Sequence, residues 1–337
     1  MRGNIPFYLS LLNLILLGKF ADEAFEEPIS YALLALLTVG LLALAIRRKR
    51  AGAERGRTKS TGDLMWKRLV SNKNAIFGLA ILIAIVYISI LAPFVSPHDP
   101  LDIDWGALNQ GSSADHWLGT DDMGRDIMSR AIYGTRIAIG IGLAAVILNT
   151  LIGTALGLIA GYYGGKVDNL IMRMLEIWNS VPFILLAIAV MAALGTGIGK
   201  LIVIVSLSNL MAFARIIRGS VLLIRESDFI AASKIIGISD LRILTDHVIP
   251  NCISPILVLA SLSIGETILV IAGLSFLGLG VQPPMASLGA MLSNGQQFLH
   301  DNVLMSLVPG AAILLIVLSF NLFGDGMRDA LDTKLND

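Results

Sequence analysis

The chain has little of what a soluble enzyme or a secreted scaffold is built on. Its 337 residues include one cysteine, Cys252, which excludes an intrachain disulfide and any cysteine-based metal centre. Charge is scarce: Asp, Glu, Lys and Arg make up 15% of the chain and cancel to a formal net charge of zero. Such a balance exerts no general pull on a nucleic-acid backbone, so no nucleic-acid partner is expected. There is no Gly-x-Ser-x-Gly elbow and no His-Glu-x-x-His helix. The histidines, His98, His116, His247 and His300, have no short metal-ligand spacing. Residues 195–200 read GTGIGK, but a phosphate loop needs Gly-x-x-x-x-Gly-Lys followed by Ser or Thr. Leu194 and Leu201 occupy the deciding positions, so the stretch is expected to be a turn between spans. No catalytic residue, metal ligand or cofactor is therefore expected in this chain.

What is abundant is apolar sequence. Hydrophobic residues make up 55% and the mean hydropathy is +0.77, whereas soluble domains run at about 45–50% apolar and ~25% charged. Apolar runs of spanning length occupy residues 29–46, 76–94, 137–160, 170–194, 201–217, 256–277 and 303–323. Each is close to the ~20 residues needed to cross a bilayer. A shorter run at 4–17 is counted as a further span, making a hairpin with 29–46. The expected fold is an all-α polytopic membrane protein. The expected units are an N-terminal hydrophobic hairpin with its basic flank (1–50), a cytoplasmic linker and interfacial helix (51–75), a transmembrane domain (76–327) containing a cytoplasmic loop at 219–250, and a short cytoplasmic tail (328–337).

Charge asymmetry orients the spans. Residues 47–73 carry a dense basic run, and residues 96–126 are rich in aspartate with almost no Lys or Arg. The positive-inside rule places the first stretch in the cytoplasm and the second outside. Alternation then puts residues 228–250 and both termini inside. The mixture of Leu64, Met65 and Leu69 with Trp66, Lys67 and Arg68 suits a helix lying at the interface, or a basic flank that only fixes topology.

Residues 228–250, DFIAASKIIGISDLRILTDHVIP, form a polar, amphipathic island between spans. Gly237 suits the break between two short helices, Ser239 suits the cap of the second, and Pro250 its end. Phe229, Ala232, Ser233 and Ile236 are expected to share one face; Leu241, Leu244, Thr245 and Val248 another. An apolar-faced island tethered to membrane spans suits docking in a groove of another protein. Gly153, Gly157 and Gly161 recur every four residues in one span, which allows close helix packing or lines a pore; the partner helix belongs to this chain or to a second subunit. Glu266 lies within a span, facing either an aqueous path or a hydrogen-bond partner such as Ser263 or a neighbouring helix. Asp121, Asp122, Arg125 and Asp126 precede the 137–160 span, as a structured loop or a solvated turn. Asp325, Arg328 and Asp329 sit at the inner end of the last span, where a charged helix end at the interface accounts for them.

Four blocks carry a resemblance. Residues 228–250 resemble the EAA loop of bacterial ABC-importer permeases, the loop that engages the ATPase subunit. Its glycine and proline frame is present as Gly237 and Pro250, while Ala231, Ala232 and Ser233 occupy the three core positions. The family glutamate is absent at 231, so no salt bridge from that position is implied. HWLGTDDMGRDIMSRAIYGTR (116–136), GLSFLGLGVQPP (273–284) and FNLFGDGMRDALD (320–332) resemble the dipeptide/oligopeptide/nickel permeases. The similarity covers roughly residues 64–335 and leaves the first ~60 outside it. It implies a six-span type I permease core, here with two added N-terminal spans, in a bacterial or archaeal cell membrane. It further implies a second homologous permease, two ATPases that bind ATP and Mg, and an external solute-binding protein. The coupling surface it implies is Asp228, Ala231, Ala232, Ser233, Lys234 and Gly237, supported by His247 and Pro250. The cargo would be short peptides, nickel or a nickel chelate. The rival readings from the residues alone are an ATP-independent channel or secondary carrier, and an intramembrane enzyme, for which Glu266 by itself is no reactive constellation.

Overall fold

The computed structural model describes residues 61–331. The N-terminal hairpin, most of the linker and the last residues of the tail lie outside the described residues. Among those described, the molecule is helical, with one isolated bridge between Thr120 and Asp126. Among the described residues four helices are long and apolar enough to cross a membrane, or up to six if each of two bent pairs is one span. That agrees with an all-α polytopic core.

Helix α1 (Thr61–Ser71) occupies the expected interfacial segment, and α2 (Lys73–Ile90) comes immediately after it. Asn72 separates them. Its Oδ1 accepts from the N–H groups of Asn74 and Ala75 at 3.1 and 3.2 Å, capping α2. Its Nδ2 donates to Asp329 at 3.1 Å, near the end of the last helix. Leu69, Ala75 and Ala330 are buried together beside Phe323 and Met327. The first described helices are thus fastened to the last one.

After the short α3 (Ala92–Val95) and a long loop, α4 runs from Ile127 to Tyr163. At 1.5 Å per residue its 37 residues extend about 56 Å, beyond the ~30 Å hydrocarbon core. The apolar run had suggested 137–160. The helix begins earlier because Asp126 caps it, accepting from Ser129 N at 2.8 Å, and because the polar first turns are buried against the loop. The glycine ladder lies on this helix and faces α8 (Leu210–Arg225) of the same chain. A Cβ at Gly153 would meet Phe213 at 3.0 Å, one at Gly157 the Ala214 carbonyl at 2.6 Å, and one at Gly161 Val221 at 2.8 Å. The ladder is a packing face, and its partner is internal.

Two expected spans are broken. Residues 170–194 form α5 (Gly165–Asn179) and α6 (Phe183–Leu194), bent by 83°. Pro182 lacks the N–H a helix needs and drives Val181 out of helical conformation. Residues 201–217 form α7 (Ile198–Ser206) and α8, bent by 44°. A break within a bilayer frees carbonyls that must find partners. The Ser206 carbonyl accepts from Asn149 Nδ2 at 2.7 Å and the Leu207 carbonyl from Trp178 Nε1 at 3.2 Å. Within 195–200, residues 195–197 form the expected turn, with Gly195 at φ +78°, while residues 198–200 already belong to α7.

The chain continues through α9 (Asp228–Ile235) and α10 (Asp240–Ile243). A single π turn (Leu244–Val248) then leads into α11 (Ile249–Phe276), so that Asp240–Phe276 reads as one long helix. Next come α12 (Leu288–Gly295), a 3-10 turn (Gln296–Phe298) and α13 (Leu304–Leu331). Ile127, Ile139, Ile268, Ile313, Ile316 and Phe320 bring α4, α11 and α13 into one core.

Gly157→Leu is expected to lower the melting temperature of the detergent-solubilised protein, since overpacking there costs about 1–3 kcal/mol or more. Gly219→Ala, on α8 with nothing within 4 Å of the added Cβ, should leave it unchanged. Equal melting of Gly157→Leu and wild type would rule out the close approach.

Candidate functional site: a polar island, a carboxylate–amide pair and an ordered loop

The island at 228–250 is held from beneath and bare on top. Ile230, Ile243 and Val248 are fully buried, in one cluster with Tyr162, Val221 and Cys252. Tyr162 donates to Asp240 Oδ1 at 2.7 Å, and the Lys234 ammonium lies 5.0 Å from the centre of the Tyr162 ring. The far end of α4 therefore anchors both short helices. Beside it, Arg218 of α8 grips Asp168 of α5 through two bonds of 2.5 Å.

The turn between the short helices depends on Gly237. Its φ is +82°, a region where an L side chain costs about 1–2 kcal/mol. The N–H of Ile238 donates to the Ser233 carbonyl at 3.1 Å and that of Gly237 to the Lys234 carbonyl at 3.0 Å. These two bonds are the Schellman closure of a helix end. Ser239 occupies the capping position of α10 without a side-chain cap bond.

Several expectations for the island change. Helix α8 continues through Arg225, so the expected loop start at 219 is helix. Pro250 does not end a helix. It sits in the first turn of α11, where a missing N–H is tolerated. The expected faces also differ. On α9 the inward residues are Ile230 and Ser233, the latter bonded to the Phe229 carbonyl at 2.8 Å. Phe229, Ala231, Ala232, Lys234 and Gly237 are exposed. Ile235 is 87% exposed, Ile236 77% and Leu241 72%. Helices of one or two turns do not hold a long apolar stripe, and the π turn rotates the residues beyond it. His247 is half-buried, its ring 6.3 Å from that of Phe229. Asp228 is exposed at the start of α9, where a negative charge complements the helix dipole.

Glu266, within α11, is exposed on the chain and accepts a bond of 2.6 Å from Asn209 Nδ2. Asn209 is the capping position of α8, at the 44° bend. The hydrogen-bond partner is thus a neighbouring helix rather than Ser263.

The acidic loop is ordered. Asp121 Oδ1 accepts from the N–H groups of Met123 and Arg125 at 2.9 and 3.0 Å, and its Oδ2 accepts from Arg125 Nε at 2.8 Å. Arg130 adds an ion pair at 3.4 Å and donates to the Pro100 carbonyl at 3.0 Å. Asn302, before α13, donates to the carbonyls of Gln110 and Thr120 at 3.2 Å each. Asp126 Oδ2 is held by Ser129, and its Oδ1 lies 3.0 Å from His116 Nδ1 and 3.7 Å from His98 Nδ1. Asp122 Oδ1 is buried without a partner. The sequence assigned no role to Arg130 or Asn302, and it offered His98 and His116 only as histidines without metal-ligand spacing. His116 and Arg130 stood inside the 116–136 block, but nothing local marks His98 or Asn302.

Residues 153–337 match the family model described as binding-protein-dependent transport system inner membrane component. Residues 60–111 match the N-terminal transmembrane domain of oligopeptide transport permease C. The chain is 44% identical over 270 residues to a dipeptide transport system permease protein of Alkalihalophilus pseudofirmus, covering 80% of this chain and 89% of that protein. It is 42% identical over 271 residues to a glutathione transport system permease protein of Pectobacterium atrosepticum, covering 80% and 90%. Among solved structures it is similar to a chain of the inward-facing MetNI methionine ABC transporter, with a TM-score of 0.49, 19% identity, and coverage of 61% of this chain and 98% of that one.

The two adjacent carboxylates of the loop should behave differently. Asp121→Ala leaves the buried Arg125 guanidinium without its partner, which costs about 3–5 kcal/mol; the 96–126 loop should become cleavable in limited proteolysis. Asp122→Ala removes an unbonded oxygen and should leave the cleavage pattern as in wild type. Equal sensitivity of the two variants would contradict the network.

Proposed function

The chain belongs to the family of inner-membrane components of binding-protein-dependent transport systems, and on that premise we propose that it forms half of the pathway of an ATP-driven importer of short peptides. It is a non-catalytic permease subunit, and membership implies ATPase, substrate-binding and second permease subunits as partners. The names of the dipeptide and glutathione relatives favour peptides over nickel or a nickel chelate. Two copies of the ATPase subunit and both termini on the cytoplasmic side complete the proposed arrangement.

Coupling to the ATPase runs through residues 228–250. The observation that carries this reading is the two-sided island: Ile230, Ile243 and Val248 are locked to the spans, while Phe229, Ile235, Ile236 and Leu241 present apolar surface outward. Ala231, Ala232 and Lys234 lie on the same exposed surface, and the small residues permit close approach of a groove. An ATP-independent channel or carrier has no use for such a surface. When the ATPase subunits close, the island moves as a unit. Because α4 is anchored to it through Tyr162, the displacement passes along a rigid helix toward the opposite face. Ser233, buried and bonded within its own helix, stiffens the island rather than touching the groove.

Glu266 and Asn209 are the proposed polar station within the pathway. Their bond joins α11 to the bend between α7 and α8, and Glu266 remains open to the outside of this chain. A carboxylate at that depth suits the ammonium end of a peptide.

Gly237→Glu strains the turn and adds a charge to the contact. It is expected to reduce transport at least about tenfold, or about 1.4 kcal/mol, and to uncouple ATP hydrolysis from cargo delivery in proteoliposomes. Normal coupling in that variant would defeat the docking assignment. Purification of the tagged chain from its membrane, with identification of its companions and of the ligand on the binding protein, tests the cargo. A chain that moves solute alone without ATP would overturn the whole reading.

A further inference from the structure

The loop network places two histidines that the sequence keeps far apart around one carboxylate oxygen. Asp126 uses Oδ2 to cap α4, accepting from Ser129 N at 2.8 Å and Ser129 Oγ at 2.7 Å. Its Oδ1 is thereby aimed at His116 Nδ1, 3.0 Å away, and His98 Nδ1, 3.7 Å away. The two rings are 4.5 Å apart at their centroids, and one ligand atom from each of the three residues lies within 4.8 Å of the others. Ligands bound to one tetrahedral ion at ~2.0–2.1 Å are about 3.3 Å from each other, and the two separations from Asp126 Oδ1, 3.0 and 3.7 Å, lie on either side of that value. His98 Nδ1 is buried and has no hydrogen-bond partner, which in a packed structure calls for an explanation.

The surroundings are those of a held site. The His98 N–H donates to Ser129 Oγ at 3.1 Å and the His98 carbonyl accepts from Ser96 Oγ at 2.7 Å, fixing its backbone. His116 and Asp126 are 6% and 2% exposed, so neither ring nor carboxylate is free to wander. On the far side of the His116 ring, Nε2 faces Asp104 Oδ2 at 3.8 Å, the kind of outer carboxylate that orients a ligating imidazole. A cavity of about 450 Å³, lined also by Asp102 and Asp115, opens beside the three groups. It provides a route for an ion and room for a water in a fourth position.

We propose that His98, His116 and Asp126 form a mononuclear site for a divalent late transition-metal ion, which ties the loop after α3 to the first turn of α4. Two imidazoles and one carboxylate select zinc and its neighbours over magnesium or calcium, which take oxygen-rich sets. The ion acts as a clamp of the loop and is not the cargo; the site stands whether or not the importer carries peptides.

The test uses the intact transporter complex in nanodiscs, stripped with a chelator and dialysed against ZnCl2 or MgCl2, with bound metal counted by mass spectrometry. The expected result is about one zinc for each copy of this chain beyond that held by His98→Ala, no magnesium beyond that held by the same variant, and affinity lowered at least about tenfold in His98→Ala and in His116→Gln. His300→Ala, outside the cluster, should bind as wild type. Zinc should raise the melting temperature of the wild type and leave that of His98→Ala unmoved, a readout separate from transport. His98 is half-exposed, so its variant keeps the cap that Asp126 supplies. No zinc on the wild type at micromolar free metal, equal retention of magnesium, or undiminished binding by both variants would each overturn the site.

Discussion

Backbone-close packing of α4 against α8 is the contact on which the rest of the molecule depends. It requires Gly153, Gly157 and Gly161 on one face, because a Cβ at Gly157 would reach a backbone carbonyl of α8. In a bilayer, lipid tails offer no hydrophobic penalty to drive helices together, so shape and short-range attraction decide association. The glycines give α8 a groove along much of α4. Both ends of the molecule are then referred to one rod: the N-terminal turns of α4 carry the acidic loop through Asp126 and Arg130, and its C-terminal end carries the island through Tyr162. The rod's length, more than the thickness of a membrane with its headgroups, separates an exposed apolar surface from an ordered polar loop.

The broken spans show what the bilayer demands. An apolar helix that bends must give its freed carbonyls new donors, and Asn149 and Trp178 supply them to Ser206 and Leu207. The bend brings Asn209 to Glu266. One irregularity therefore satisfies the backbone and at the same time places a polar pair on a surface that is otherwise apolar. Polar side chains on α4 and α5 thus stabilise a distortion of α7 and α8 that the apolar sequence alone would not hold.

The loop at 96–126 contrasts with the island in how order is obtained. The island is ordered by buried isoleucines and valine with a glycine turn. The loop, short of large apolar residues in its interior, is ordered by charge: Asp121 is saturated by backbone and guanidinium donors, and Asn302 binds it to α13. Charges buried in this way are costly unless fully partnered. For that reason the pairing geometry, rather than the acidity of the segment, distinguishes Asp121 from its neighbour Asp122.

Much of this was legible in the order of residues. The class came from composition, the spans from their apolar runs, the Gly237 break from the residue least penalised at positive φ, and the ladder from a period of four. These properties are local, and periodicity or a single residue's allowed conformations determine them. The rest depended on tertiary contacts. The apolar pattern could not show that residues 170–194 and 201–217 bend, since hydropathy is continuous across both breaks and only the first contains a proline, Pro182. Nor could it show that Pro250 lies within a long helical run, or that Ser233 faces inward, because helices as short as α9 take their orientation from the surface they rest upon. The meeting of His98 with His116 and Asp126, and of Asn209 with Glu266, joins residues remote in sequence. Only the packing of the helices and the folding of the loop bring them close, so the sequence by itself determined the class and most of the apolar runs, and the tertiary structure decided where those runs bend and which polar groups meet.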